Sequence, residues 1–116
     1  MDQPFRAFKA EFFKALAHPV RLAILDQLRE GERSVNDLCA SLRADQPLVS
    51  QHLARLRTAD IVRVRKQGTV AYYTVSDPTI FELLDVARRI FDNQLVNRQA
   101  LLKRIRKEAR EALKAH

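Results

Sequence analysis

With 116 residues, 47% hydrophobic and 30% charged, the chain has material for one domain with its own core and too little for two. Lys and Arg number 21 against 14 Asp and Glu, and the net charge of +7 points to a polyanionic partner, nucleic acid or an anionic membrane surface. One cysteine makes neither an intramolecular disulfide nor a cysteine-rich zinc site, and no signal sequence or membrane span is read in the chain, so a cytoplasmic location is expected.

Phe5, Phe8, Phe12 and Leu16, with Phe13 beside them, recur at spacings of three and four and predict an amphipathic helix over 5–17 whose aromatic face serves the core or a dimer. His18-Pro19 ends it, because proline disfavours helix in the preceding residue and suits the first turn of the next helix. Val20, Leu22, Ala23, Ile24, Leu25 and Leu28 then predict a central second helix, apolar on more than one side and ending at Gly31. Ser34 with Asp37 has the form of a capping box and opens a short third helix with the stripe Val35, Leu38, Cys39 and Leu42. After the turn Arg43-Ala44-Asp45-Gln46, Asp45 caps a fourth helix over 47–59, with Val49, Leu53 and Leu56 inward.

The outward side of that helix carries Gln46, Ser50, Gln51, Ala54, Arg55 and Thr58, short or forked hydrogen-bonders without the Glu/Lys pairs of an ordinary solvated face. Residues 61–75 alternate β-branched, aromatic and basic side chains around Lys66-Gln67-Gly68, which predicts a β-hairpin with a basic arm and tip. Asp77-Pro78 opens a last helix. Its apolar positions, including Ile80, Leu84, Ile90, Phe91 and Leu95, cover too wide an arc for so small a domain to bury alone, so self-association is expected. Residues 98–116 continue the apolar pattern among seven basic and two acidic residues. Three uses are open for this tail: an extension of the dimer interface, phosphate contact, or docking to a partner or membrane.

The expected fold is mainly α with a small β-hairpin, a winged helix-turn-helix in the order α1-α2-α3-α4-β-β-α5 with a C-terminal helical extension, dimeric. Residues 1–97 would bind DNA and dimerise, and 98–116 would form the basic extension. The second helix of such a unit enters the major groove by its N-terminal part, where Gln pairs with adenine and Arg with guanine. Arg65, Lys66 and Thr69, with Gln67 at the tip, would then lie on the flanking backbone or minor groove.

The segments FKALAHPVRLAILDQL, SVNDLCASL and DQPLVSQHLARLRTADIVRVRKQGTVAYYTVSDP resemble the ArsR/SmtB family of dimeric winged-helix repressors over residues 8–92. That resemblance implies a homodimer on a double-stranded, imperfectly palindromic operator, an interface made by the outer helices, and release by an effector. By matching position it implies Gln46, Ser50, Gln51 and His52 as the base-region contacts; Pro47 and Arg55, on the same helix, are counted with the DNA-binding residues. Asp60 stands where the family ends this helix with glycine. Where metal-sensing relatives carry Cys-x-Cys, the chain has Ser34 and Asn36; where a second family site has ligands on the last helix, it has Thr79, Ile90 and Asn93. No metal and no cofactor is therefore expected, and the effector is unidentified. Cys39 reads as a packed thiol. No nucleophile-base constellation, carboxylate pair or phosphate loop supports an enzyme. The rival readings are a non-specific nucleoid-type or RNA-binding protein, and a metal sensor with an unrecognised site at His116 or the N-terminus.

Overall fold

Breaks in the helical pattern fall where the sequence puts its cap residues. The computed structural model describes residues 2–114. In chain order it has α1 (Asp2–Leu16), α2 (Pro19–Gln27), β1 (Arg33–Ser34), α3 (Val35–Leu42), α4 (Gln46–Thr58), β2 (Val62–Gln67), β3 (Val70–Val75) and α5 (Thr79–Lys114). Two compact units divide at Pro78/Thr79, the second being α5.

His18 caps α2 by a means the sequence reading missed: its Nδ1 accepts the Val20 backbone N–H at 3.1 Å, with Pro19 in the first turn behind it. The expected end of α2 at Gly31 is corrected to Gln27, and Gly31, at φ +133°, lies in the turn that follows. Ser34 caps α3 as expected, its Oγ accepting from Asp37 N–H at 3.1 Å. Asp45 occupies the cap position of α4 without a side-chain hydrogen bond to it. The helix ends in a pair of hydrogen bonds, Asp60 N–H to Arg57 C=O and Ile61 N–H to Leu56 C=O, both 2.9 Å. This closure requires a left-handed residue at Asp60, where φ is +59°.

The position thus favours glycine for a steric reason. Asp60→Gly is expected to raise unfolding stability by about 0.5–1 kcal/mol. Chemical denaturation of the two chains checks this, and a loss of stability would mean that the aspartate side chain contributes more than its backbone costs.

The expected hairpin becomes a three-stranded antiparallel sheet in the order β1-β3-β2. Strand β1 is only two residues long, pairing Arg33 with Tyr73 and Ser34 with Tyr72, and so short a strand leaves no periodicity to read. Gln67 pairs with Val70 across the two-residue turn Gly68-Thr69, and Gly68 supplies the positive φ, +62°, that such a turn needs at its first position. The core is Ile24 and Leu25 of α2, Leu38 of α3, Val49, Leu53 and Leu56 of α4, and Val62 of β2, all essentially without solvent contact. On α3 only Leu38 is buried; Val35, Leu42 and the free Cys39 are half-buried.

Helix α5 runs unbroken for 36 residues, through the expected boundary at 97/98. At 1.5 Å per residue it is about 54 Å long. No helix among the described residues is long and apolar enough to cross a membrane.

Candidate nucleic-acid interface

Helix α4 is held by its inner side and open on its outer one. Val49, Leu53 and Leu56 anchor it in the core, which leaves Gln46, Pro47, Gln51, Ala54 and Thr58 exposed and Ser50 and Arg55 half-exposed. The Thr58 hydroxyl donates to Ala54 C=O at 2.9 Å. Gln46, Ser50, Gln51 and Arg55 are therefore the hydrogen-bonding side chains left open on this face. An open cleft of about 600 Å3 runs beside them, lined by His18, Arg21, Gln51, His52, Ala54, Arg55 and Thr58.

His52 departs from expectation. It follows Gln51 by one residue, about 100° round the helix, and that rotation carries it inward. Only 8% exposed, its ring lies 4.2 Å from that of His18, and its Nδ1 is 3.1 Å from Arg21 Nη1. A guanidinium can only donate, so Nδ1 accepts and the neutral ring carries its proton on Nε2. The same Arg21 donates from Nε to Ala15 C=O at 2.7 Å, closing the end of α1. His52 thus ties α4 to the α1–α2 junction instead of standing free for a base. Neither partner was legible in the sequence, since Arg21 and His52 are 31 residues apart.

Burial first, then the nearby His18 and Arg21, holds the His52 pKa below the ordinary imidazole value. A depressed pKa means that the unfolded chain takes up a proton before the folded one does. The stabilisation is complete above about pH 6.5 and is lost as pH falls below it toward the folded value. The melting temperature is expected to be level from about pH 8 to 7 and to fall toward pH 5, with a shallower fall in His52→Gln. Equal slopes in the two proteins would remove His52 from the effect.

The wing shows a second departure. Arg65 is not a free cation: Nη2 and Nε donate to the two carboxylate oxygens of Glu32 at 2.6 and 3.0 Å. Nη1 donates to Gln67 Oε1 at 3.0 Å, and the guanidinium carbon lies 4.7 Å from the centre of the Tyr72 ring. The Arg65 hydrogen bonds hold the Glu32 carboxyl below its usual range. Arg65, in the half of β2 nearer the turn, therefore fixes the hairpin to the segment before β1, and the sequence held no periodic signal for its partner Glu32. Lys66, Gln67 and Thr69 are exposed at the tip.

Among the described residues, no group of three or more His, Cys, Asp or Glu is placed to hold a metal ion. His116 and Met1, at the two ends where the sequence leaves room for an unrecognised site, lie outside the described residues.

Residues 18–64, from the α2 cap to the second strand, match the family model described as "Bacterial regulatory protein, arsR family". The chain is 42% identical over 106 residues to the uncharacterised HTH-type transcriptional regulator Rv0081 of Mycobacterium tuberculosis, covering 90% of this chain and 93% of that one. The crystal structure of Rv0081 superposes with a TM-score of 0.74 at 41% identity, over 83% of this chain and 97% of the solved one. The solution structure of the homodimeric winged helix-turn-helix domain Mb0332 from Mycobacterium bovis gives 0.71 at 29% identity, over 79% and 85%. The transcriptional repressor SmtB of M. tuberculosis is 46% identical over 67 residues, 58% of this chain and half of that protein. With the exposed face of α4, the three-stranded sheet and its basic wing, these matches lead to one conclusion: the chain belongs to the ArsR family of winged helix-turn-helix, DNA-binding transcriptional regulators.

Proposed function

We propose that the protein is a homodimeric repressor, acting in the cytoplasm, that reads an imperfect palindrome with one α4 per half-site and is released by an effector still to be identified. The observation that carries this reading is the outer face of α4, where Ser50, Gln51 and Arg55 present hydrogen-bonding groups from a helix anchored in the core. Dimerisation is supported by apolar surface that one copy leaves open: Phe8 on α1 is 66% exposed and Phe91 on α5 is 61% exposed. Selecting duplexes from a random pool tests the reading. Enrichment of an inverted repeat, with half-site centres roughly 34–36 Å apart, is expected. Equal retention of all sequences would favour the nucleoid-type alternative.

Lys66 is assigned to phosphate and Arg65 to positioning. In Lys66→Ala, the dependence of log affinity on log salt should lose about 0.9 per cation removed, with the preferred operator unchanged. Arg65→Ala should leave that slope intact while weakening binding by loosening the wing. A matching loss of slope at Arg65 would show that its guanidinium leaves Glu32 for a phosphate. The effector is assigned outside the known metal sites of the family, because Ser34 and Asn36 offer no thiolate and Thr79, Ile90 and Asn93 offer no imidazole. Release of the operator by stoichiometric zinc, nickel or cadmium would overturn that assignment.

A further inference from the structure

Arg21 carries a positive charge for which the described residues offer no counter-ion. It is half-buried, and its guanidinium donates only to neutral acceptors: Ala15 C=O at 2.7 Å, Lys14 C=O at 3.4 Å and His52 Nδ1 at 3.1 Å. Charges drawn away from water are ordinarily paired, because a neutral acceptor does not offset the lost hydration of a full charge. These three contacts leave further N–H groups of the guanidinium unused.

Two imidazoles beside it are donors as well. His18 Nδ1 accepts the Val20 backbone N–H, as His52 Nδ1 accepts from Arg21, so each neutral ring keeps its proton on Nε2. Among the described residues, no side-chain nitrogen or oxygen is buried without a hydrogen-bond partner. The two Nε2–H groups, unpaired within the chain, therefore reach solvent, and both rings line the cleft of about 600 Å3 beside α4. Arg21 and the half-exposed Arg55 line it too, whereas no Asp or Glu does. Glu11, which shares a smaller cleft with Arg55, is paired with Lys14 at 3.3 Å.

A wall of this kind suits an oxyanion. Two guanidinium groups match a doubly charged ligand, and the three terminal oxygens of a phosphate spread over donors from α4 and the start of α2 better than one flat carboxylate does. We propose that this cleft is a phosphate site, in which a phosphate group supplies the counter-charge that Arg21 lacks, and that a free phosphate seated there excludes the operator. The exclusion follows from place and sign: the cleft shares Gln51 and Arg55 with the outer face of α4, where a dianion repels the phosphates of DNA. Two sources carry the group, the operator's own backbone and a small phosphorylated molecule that would then be the effector. The exclusion rests on the operator reading, whereas binding of phosphate itself needs no DNA.

Inorganic phosphate titrated into the full chain, with chloride holding the ionic strength constant and the histidine ring resonances as readout, supplies the first arm. Saturable shifts at His18 and His52 are expected, with affinity weakened at least about tenfold in Arg21→Gln and in Arg55→Ala. Arg55 is half-exposed, so its variant tests the site even where Arg21→Gln loosens the α1–α2 junction. Rings that do not respond, shifts that never saturate, or wild-type affinity in Arg55→Ala would overturn the proposal.

Operator affinity then assigns the source. With a backbone phosphate in the cleft, Arg21→Gln lowers the slope of log affinity against log salt by about 0.9. An unchanged slope, together with release of the operator by phosphate at matched ionic strength, assigns the cleft to a free phosphorylated molecule. Operator and phosphate held together, neither weakening the other, would overturn the exclusion. A chain that binds phosphate and selects no operator would fail the operator reading and leave the phosphate site standing.

Discussion

Leu53→Ala is expected to lower the unfolding free energy by about 2–5 kcal/mol, the range for truncating a fully buried leucine where the cavity collapses only in part. Leu53 has no solvent contact and lies on the inner side of α4, between the buried Val49 and Leu56. Removing three carbons there withdraws the apolar contacts that aim the outer face. In a unit of this size, each kcal/mol corresponds to about 4–8 °C in melting temperature, so a fall of at least about 8 °C is expected. Calorimetry at one fixed protein concentration checks it, because dimerisation makes the midpoint concentration-dependent. A fall of only a degree or two would mean that α4 is not seated as described.

Gln51→Ala is expected to act on sequence choice and to leave stability nearly unchanged. Gln51 is exposed, so its truncation costs the fold little, whereas a good contact from glutamine to adenine is worth about 1–3 kcal/mol against the wrong base. The variant should bind the selected operator roughly 5–150-fold more weakly and non-specific duplex about as before. Ser50→Ala should do the same to a smaller degree, its side chain being half-buried. Equal weakening on operator and random duplex would assign Gln51 to the backbone. Gln51 and Lys66 thus separate two kinds of contact, one changing which sequence is preferred and the other changing how salt affects them all.

What the sequence by itself determined is the part governed by local rules. Proline at 19, serine at 34 and glycine at 68 mark a helix start, a cap and a turn through constraints that span a few residues, and each lies where those constraints put it. The periodicity of Val49, Leu53 and Leu56 separates the inner side of α4 from the outer, which made Ser50, Gln51 and Arg55 legible as residues of its open side. Tertiary structure alone decided where neighbours in sequence part company and distant residues meet. His52 looked like the continuation of Gln51 until its ring met His18 and Arg21 across the α1–α2 junction. Arg65 looked like one more cation on a basic hairpin until it met Glu32, 33 residues away. The two-residue strand β1 exists only because β3 offers it an edge. In each case the deciding partner lies across the fold, where no periodicity can announce it, and the energy of burial or ion pairing is set by geometry that forms only once the core has closed.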